Sequence, residues 1–183
     1  MKIVPAKTAN ISLVALFAAL TAAGAFIRFP LPPVPITLQS LFVLMSGMIL
    51  GARAGALSQS IYIIIGLMGF PIFSGGGGPS YILKPSFGYL LGFIAASYTS
   101  GLIFNRRKTG FFNTLLASMA GSSAIYLIGI PWLAIYMRYL LDKPDALLFS
   151  LQAGLVVFLP GDILKCLILA IIVPRLRHRT SPG

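Results

Sequence analysis

The sequence predicts an all-α integral membrane protein whose chain crosses the bilayer six times. Hydrophobic residues make up 57% of the 183 residues and charged residues only 9%, and the mean hydropathy is +0.93. A soluble domain with this composition would have too little polar surface to cover its apolar residues. Six apolar segments are separated by polar or Pro- and Gly-containing breaks, at about 11–27, 36–50, 54–70, 88–104, 111–133 and 147–173. We therefore expect a single membrane domain over residues 1–183.

The first segment follows two lysines and ends near Ala22-Ala23-Gly24, a pattern also found in cleaved secretory signals. Because five further apolar segments follow, we interpret it as the first spanning helix. It carries the spacing Ala15-x-x-x-Ala19-x-x-x-Ala23, and small residues at every fourth position let helices approach closely in lipid. The spacing is compatible with packing inside the chain and with docking of another membrane subunit.

The second and third segments are shorter than the roughly 20 residues that a spanning helix needs. We expect them to tilt, to extend into their flanks or to be buried among the other helices. Before the second segment, residues 29–35 contain four prolines, which favour a stiff, extended course. Neutral hydrogen-bonding side chains follow at once, namely Thr37, Gln39 and Ser40. They suit a ligand with amide-like groups.

A glycine-rich loop separates the third and fourth segments. It contains four successive glycines, Gly75 to Gly78. Glycine adopts backbone conformations that other residues rarely adopt, and its lack of a side chain lets a ligand approach the backbone. A flexible linker is one interpretation. Its aromatic residues, Phe73, Tyr81, Phe87 and Tyr89, favour a lid over a pocket instead. We expect Gly76, Gly77 and Tyr89 to contact the ligand.

The last segment contains an acid and a base at bilayer depth. The chain has three acidic residues, and Asp162 is the one inside an apolar run, where a carboxylate costs roughly 2.5–3.5 kcal/mol and indicates a functional site. Lys165 follows three residues later, on the same face of a helix. Pro160 and Gly161 are expected to loosen the helix just before the pair. The alternative is an ion pair that only holds helices together.

The basic residues predict the orientation of the chain. The net charge is +11, but no basic groove with interleaved aromatic residues suggests nucleic acid. Cytoplasmic loops are enriched in Lys and Arg, and both termini are therefore expected in the cytoplasm. This choice puts four loop cations outside, Arg28, Lys84, Arg138 and Lys143, and nine inside, Lys2, Lys7, Arg53, Arg106, Arg107, Lys108, Arg175, Arg177 and Arg179.

Enzymatic and metal-binding functions find little support in the residues. One His, one Cys and three Asp cannot build a familiar metal cluster, and we expect no cofactor. The glycine run lacks the Lys-Ser/Thr of a P-loop, so ATP would have to bind to a partner subunit. A membrane enzyme that uses Asp162 as a general base lacks a paired nucleophile or metal set. A purely structural subunit would leave the buried charges and the loop without a purpose.

Four motifs follow one another along the chain, Val34-Pro-Ile-Thr-Leu-Gln39, Gly66-Leu-Met-Gly-Phe-Pro-Ile-Phe73, Pro85-Ser-Phe-Gly-Tyr-Leu-Leu-Gly-Phe93 and Pro160-Gly-Asp-x-x-Lys165. In this order they resemble the BioY family, the biotin-binding S components of energy-coupling factor (ECF) transporters. The resemblance covers about residues 10 to 174. It implies six helices around a substrate cavity open to the outside of the plasma membrane.

The resemblance also implies partners and roles for single residues. The partners are a transmembrane coupling subunit, which docks on the alanines of the first helix, and two ATPases. Asp162 and Lys165 contact the polar head of biotin, and the glycine-rich loop closes over its other end. Family members often have a Gly-Pro-Thr-Gly-Gly-Tyr-like run where this chain has Lys84-Pro-Ser-Phe-Gly-Tyr89, so Lys84 is expected to meet the valerate carboxylate. A stand-alone carrier without the ATPases is the alternative.

Overall fold

The structure is a bundle of helices with one short β-ribbon. It is a computed structural model that describes residues 6–106 and 109–180, and the side chains of residues 11–106 and 109–176. The elements are α1 (Ala6–Phe26), β1 (Arg28–Phe29), β2 (Ile36–Thr37), α2 (Gln39–Leu50), α3 (Ala52–Leu67), α4 (Phe87–Asn105), α5 (Phe111–Tyr139), α6 (Ala146–Leu151) and α7 (Leu159–Thr180). The ribbon pairs β1 with β2, and a short 3-10 helix, Pro79–Leu83, precedes α4.

A helix lies at each of the six predicted apolar segments, and the all-α fold class is confirmed. Three helical stretches are long and apolar enough to cross a membrane, Phe87–Asn105, Phe111–Tyr139 and Ala146–Leu176. The other three are shorter, and α2 has only 12 residues and α3 only 16, as expected from the sequence. The cytoplasmic position of the termini stays a prediction. Several of the cations on which that prediction rests lie outside the described side chains, namely Lys2, Lys7, Arg107, Lys108, Arg177 and Arg179.

Helix α4 occupies the centre of the bundle, in contact with α2, α3 and α5, while α1 packs on α2 and α3. The backbones of α2, α3 and α4 come very close together at three glycines. A Cβ atom on Gly47 would lie 1.9 Å from the Ser97 carbonyl oxygen, and one on Gly55 would lie 2.7 Å from the Gly47 Cα. A Cβ on Gly101 would lie 2.4 Å from the Gly47 carbonyl oxygen. Small residues at this crossing therefore set the distance between the helices.

Replacing Gly47 by alanine is expected to destabilise the protein by about 1–3 kcal/mol, because the methyl group must push two helix backbones apart. Thermal unfolding of the detergent-purified protein measures the effect. Gly161→Ala is the matched control: Gly161 is also helical, but no atom lies within 4 Å of its Cβ position. The control variant should unfold at or slightly above the wild-type temperature. A Gly47→Ala protein as stable as the control would contradict this account of the crossing.

The last predicted helix, 147–173, is irregular, but not at the expected place. A π-helical turn, Gln152–Val156, separates α6 from α7, and the helix continues to Thr180. The expected loosening at Pro160 and Gly161 is wrong in its position. Pro160 lies in the first turn of α7, where a missing N–H does not break a helical hydrogen bond. The irregular hydrogen bonding lies in the turn before it, as in π-bulges near functional sites.

The glycine-rich loop is packed against the bundle. The rings of Phe73 and Tyr81 are each 2% exposed, and the Phe73 ring makes an edge contact with Tyr62 at a centroid distance of 5.3 Å. Phe73 packs where Gly66 has no side chain, since a Cβ there would lie 2.1 Å from the ring. Burial of its aromatic residues makes this loop a fixed cover, unlike a flexible linker.

Candidate functional site

The site begins with an ion pair inside the bundle. Asp162 and Lys165 lie one turn apart in α7, and Lys165 Nζ is 2.9 Å from Asp162 Oδ1. Only 9% of the lysine side chain and 13% of the aspartate side chain are exposed. Ser40, from α2, accepts a 2.9 Å hydrogen bond from Lys165 Nζ and donates to Asp162 Oδ1 at 3.4 Å. The expectation that the two charges share one helix face is confirmed, and Ser40 links them to a second helix.

Tyr126, from α5, completes the polar cluster. Its hydroxyl donates to Asp162 Oδ2, the carboxylate oxygen that Lys165 does not contact. Both oxygens of the carboxylate thus have partners. Oδ1 accepts from Lys165 and Ser40, whereas Oδ2 accepts only from Tyr126 and still has an unused lone pair. Lys165 uses two of its three N–H donors, on Asp162 and Ser40. The cluster can therefore accept a hydrogen bond from a ligand N–H and donate one to a ligand carbonyl.

The polar cluster forms one end of a small inner chamber. The chamber has a volume of about 50 Å³. Hydroxyl and amide groups lie near the charged end and at the mouth, while aromatic and aliphatic side chains form the walls. The lining residues are Val34, Pro35, Thr37, Gln39, Ser40, Ser74, Tyr81, Ser86, Tyr89, Leu90, Phe93, Ile125, Tyr126, Phe158, Asp162 and Lys165.

Tyr89 is held in this wall by two glycines on neighbouring elements. A Cβ atom on Gly129 of α5 would lie 2.6 Å from the Tyr89 ring, and one on Gly154 of the π-turn would lie 2.3 Å from its hydroxyl oxygen. The hydroxyl donates to the Gly154 carbonyl oxygen at 3.0 Å, and the ring stacks on Phe158. The irregular turn between α6 and α7 therefore fixes the orientation of an aromatic wall.

Thr37 and Gln39 form a second polar group in the same chamber. Thr37 Oγ1 donates to Gln39 Oε1 at 3.0 Å, and Gln39 Nε2 donates to the Tyr62 hydroxyl at 2.6 Å. Tyr62 in turn donates to the Ile72 carbonyl oxygen, in the glycine-rich loop, at 3.1 Å. The amide of Gln39 is thus oriented by α3 and by the loop.

A larger outer chamber of about 380 Å³ adjoins the inner one. The two share four lining residues, Pro35, Ser74, Tyr81 and Ser86. The hydroxyl of Tyr81 accepts a 3.1 Å hydrogen bond from Ser86 Oγ and lies 3.4 Å from Ser74 Oγ, so these three side chains form a polar neck between the chambers. The complete lining is Arg28, Pro30, Leu31, Pro32, Pro33, Pro35, Ser74, Gly75, Tyr81, Lys84, Pro85 and Ser86.

Lys84 lies in the outer chamber, away from the ion pair. Its ammonium donates to the Gly75 carbonyl oxygen and is 4.8 Å from the centroid of the Tyr81 ring. Gly76 and Gly77 line neither chamber. Gly77 is instead pressed against the backbone, since a Cβ there would lie 2.0 Å from the Phe70 carbonyl oxygen. Both glycines shape the loop, and Gly75 is the glycine that faces the chamber.

One end of the site consists of predicted residues, whereas its wall contains several that were not predicted. Thr37, Gln39, Tyr89, Asp162 and Lys165 come together in the inner chamber as predicted. The missed residues are Tyr126, Ser74, Ser86, Phe93 and Phe158 in the inner chamber and Arg28 in the outer one. A tyrosine in an apolar helix was the one available signal for Tyr126, since a buried hydroxyl needs a partner.

The three alanines of the first helix face outward. Ala15, Ala19 and Ala23 are all exposed, and among the residues with described side chains no other alanine is. The buried face of α1 is formed by other residues, including Val14, Phe17, Ala18, Thr21 and Ala25. Packing inside the chain therefore does not explain the spacing. Ala15 and Ala19 line a shallow groove of about 310 Å³ between α1 and α3.

Metal ligands do not cluster in the part of the chain that the structure describes. No three His, Cys, Asp or Glu side chains come together there. The groups that the chambers offer a ligand are hydrogen-bonding side chains, one ion pair and aromatic walls.

Comparison with known proteins identifies a single family. The BioY family model matches residues 1–182. A Pyrococcus horikoshii protein named "Probable biotin transporter BioY" is 41% identical over 175 residues, which cover 95% of this chain and 99% of the relative. A Thermotoga maritima protein named "Biotin transporter BioY" is 35% identical over 163 residues, covering 88% and 92%.

A solved structure has the same fold. The S component for biotin from an ECF-type ABC transporter superposes with a TM-score of 0.82 and is 26% identical. The match covers 100% of this chain and 97% of the solved chain. The match therefore spans every segment that forms the two chambers.

Proposed function

This chain belongs to the BioY family, and we propose from that premise that it is the biotin-binding S component of an ECF-type transporter. Its relatives are named as transporters and not as enzymes, so the chain acts in transport. The observation that carries the proposal is the buried Asp162–Lys165 pair at the closed end of a chamber with aromatic walls. An uncharged cyclic urea, such as the ureido ring of biotin, offers an N–H donor to Asp162 and a carbonyl acceptor to Lys165.

The ureido group of biotin would bind at the charged end. One of its N–H groups can donate to the unused lone pair of Asp162 Oδ2, and its carbonyl oxygen can accept from the unused N–H of Lys165. Thr37 and Gln39 supply further neutral hydrogen bonds beside it. Tyr89 lies against the thiophane ring in this arrangement. Because the two charges of the pair neutralise each other, a neutral ureido group adds no net charge at this end of the chamber.

The rest of biotin would extend through the polar neck into the outer chamber. Pockets for small molecules commonly have about 300–1,000 Å³, so the inner chamber of about 50 Å³ is too small for the whole vitamin. The outer chamber adds about 380 Å³, and Lys84 supplies a cation there for the carboxylate. Gly75 replaces Gly76 and Gly77 as the glycine proposed to contact the ligand.

A transmembrane coupling subunit and two ATPase subunits would supply the energy, and this chain would need no cofactor. The exposed strip of Ala15, Ala19 and Ala23 offers the coupling subunit a smooth surface for close helix packing. We place the chain in the plasma membrane with the chambers toward the outside. Arg53, Arg106 and Arg175 lie at the opposite end of the helices, as expected for the cytoplasmic side.

Equilibrium titration of the purified chain with biotin tests the proposed function. We expect saturable binding of one biotin per chain in detergent, and no binding of thiamine, a vitamin without a ureido group. Failure to bind biotin would overturn the assignment. Uptake of biotin by cells that lack the coupling subunit and the ATPases would instead identify a stand-alone carrier.

A further inference from the structure

The outer chamber contains a cation, Arg28, that has no described partner and takes no part in the Asp162–Lys165 ion pair. Arg28 lines this chamber together with Lys84. Among the described residues, no hydrogen bond, ion pair or ring contact involves the Arg28 guanidinium. Lys84, in contrast, is already bonded to the Gly75 carbonyl oxygen and lies over the Tyr81 ring. Of the two cations, Arg28 is therefore the one with its donors available.

The walls of the chamber give an anion few other donors. Five of its lining residues are prolines, Pro30, Pro32, Pro33, Pro35 and Pro85, and proline has no backbone N–H. None of the described lining residues is acidic. An anion that enters the chamber must therefore be held by side chains, and a guanidinium presents a planar fork of donors that matches a carboxylate.

The β-ribbon connects Arg28 to the inner chamber. In the antiparallel pairing of β1 and β2, Arg28 lies directly opposite Thr37, which lines the inner chamber two residues before Gln39. The Leu38 N–H donates to the Ile27 carbonyl oxygen at 3.1 Å and also to that of Gly24. The same short ribbon therefore holds Thr37 in the inner chamber and Arg28 in the outer chamber at a fixed separation.

We propose that Arg28 is the principal carboxylate-recognition residue of this site and selects ligands that carry a free acid at the end of their chain. The inference rests on the proposed function, because biotin provides such an acid. Lys84 then has the secondary role of holding the glycine-rich loop through Gly75 and adding positive potential. This assigns the main anion contact to a residue of the ribbon and not to the loop lysine.

Binding of biotin and of its neutral primary amide to the purified chain tests the role of Arg28 separately from the proposed function. We expect the wild type to bind biotin about tenfold more tightly than the amide, and Arg28→Gln to bring this ratio close to one while amide affinity stays unchanged. Arg28→Lys should keep part of the preference. Added salt should weaken biotin binding in the wild type and not in Arg28→Gln. Arg138→Gln, an exposed arginine in the last turn of α5, is the control and should keep the wild-type ratio.

Each contrary result has a distinct meaning. Equal losses of biotin and amide affinity in Arg28→Gln would overturn the carboxylate assignment and make Arg28 structural. An unchanged ratio in Arg28→Gln together with a ratio near one in Lys84→Gln would also overturn it. An effect of Arg28→Gln seen only in vesicles with anionic lipid, and absent in detergent, would assign Arg28 to lipid headgroups instead. Absence of any biotin binding to the wild type would refute the proposed function itself.

Discussion

Neutralising either member of the buried ion pair is expected to lower biotin affinity by about 100-fold, because hydrogen bonds to charged groups contribute about 1.5–3 kcal/mol each. Asp162→Asn removes the charge that receives a ureido N–H but keeps the shape of the side chain. Lys165→Met removes the donor to the ureido carbonyl and also leaves Asp162 without its cation. Isothermal titration of each purified variant with biotin measures the loss.

The double variant Asp162→Asn/Lys165→Met separates a binding role from a structural one. If the pair only holds helices together, removing both charges should leave biotin affinity unchanged, and the unfolding temperature should stay the same or rise, as for other buried pairs replaced together. If the pair binds biotin, affinity falls while the protein stays folded. The exposed neighbours Asp142 and Lys143 provide the matched control, since Asp142→Asn/Lys143→Met should change neither quantity.

The ion pair could be predicted from the sequence because its contact is local. A spacing of three residues on a helix brings two side chains together whatever the rest of the fold does. The partners of the pair could not be predicted in the same way. Ser40 is separated from Lys165 by 125 residues, and Tyr126 from Asp162 by 36. Which side chains meet across that separation depends on how α2, α5 and α7 pack.

Other features of the site left only indirect signals in the sequence. The interruption of the last helix lies within a largely apolar segment, Gln152–Val156, where only Gln152 and Gly154 depart from the surrounding apolar composition. The space for the Tyr89 ring depends on Gly129 and Gly154 together. The sequence does not show that these two glycines face the same ring, because α5 and the π-helical turn meet only in the folded chain. Arg28 looked like an ordinary loop cation, because its place in the outer chamber depends on the register of the β-ribbon.

Replacing Ala19 by leucine is expected to abolish ATP-driven biotin uptake, at least tenfold below wild type, without changing biotin affinity. Ala19 is exposed on α1 and lines the groove between α1 and α3, while the two chambers are lined by other residues. A leucine there prevents the close helix approach that small residues permit. Uptake is measured in cells that express the coupling subunit and the ATPases, and affinity is measured on the isolated chain.

The comparison of uptake with binding makes this result specific to docking. Ser123→Leu, a small-to-large change at an exposed position of α5, should leave uptake intact, because lipid accommodates an extra apolar side chain on a face that no subunit covers. Loss of uptake in Ser123→Leu as well would point to a general defect in membrane insertion. Normal uptake in Ala19→Leu would remove the alanine strip as the docking surface. A variant that binds biotin with wild-type affinity, is present at wild-type levels and fails to transport would show that binding and energy coupling use separate surfaces of this chain.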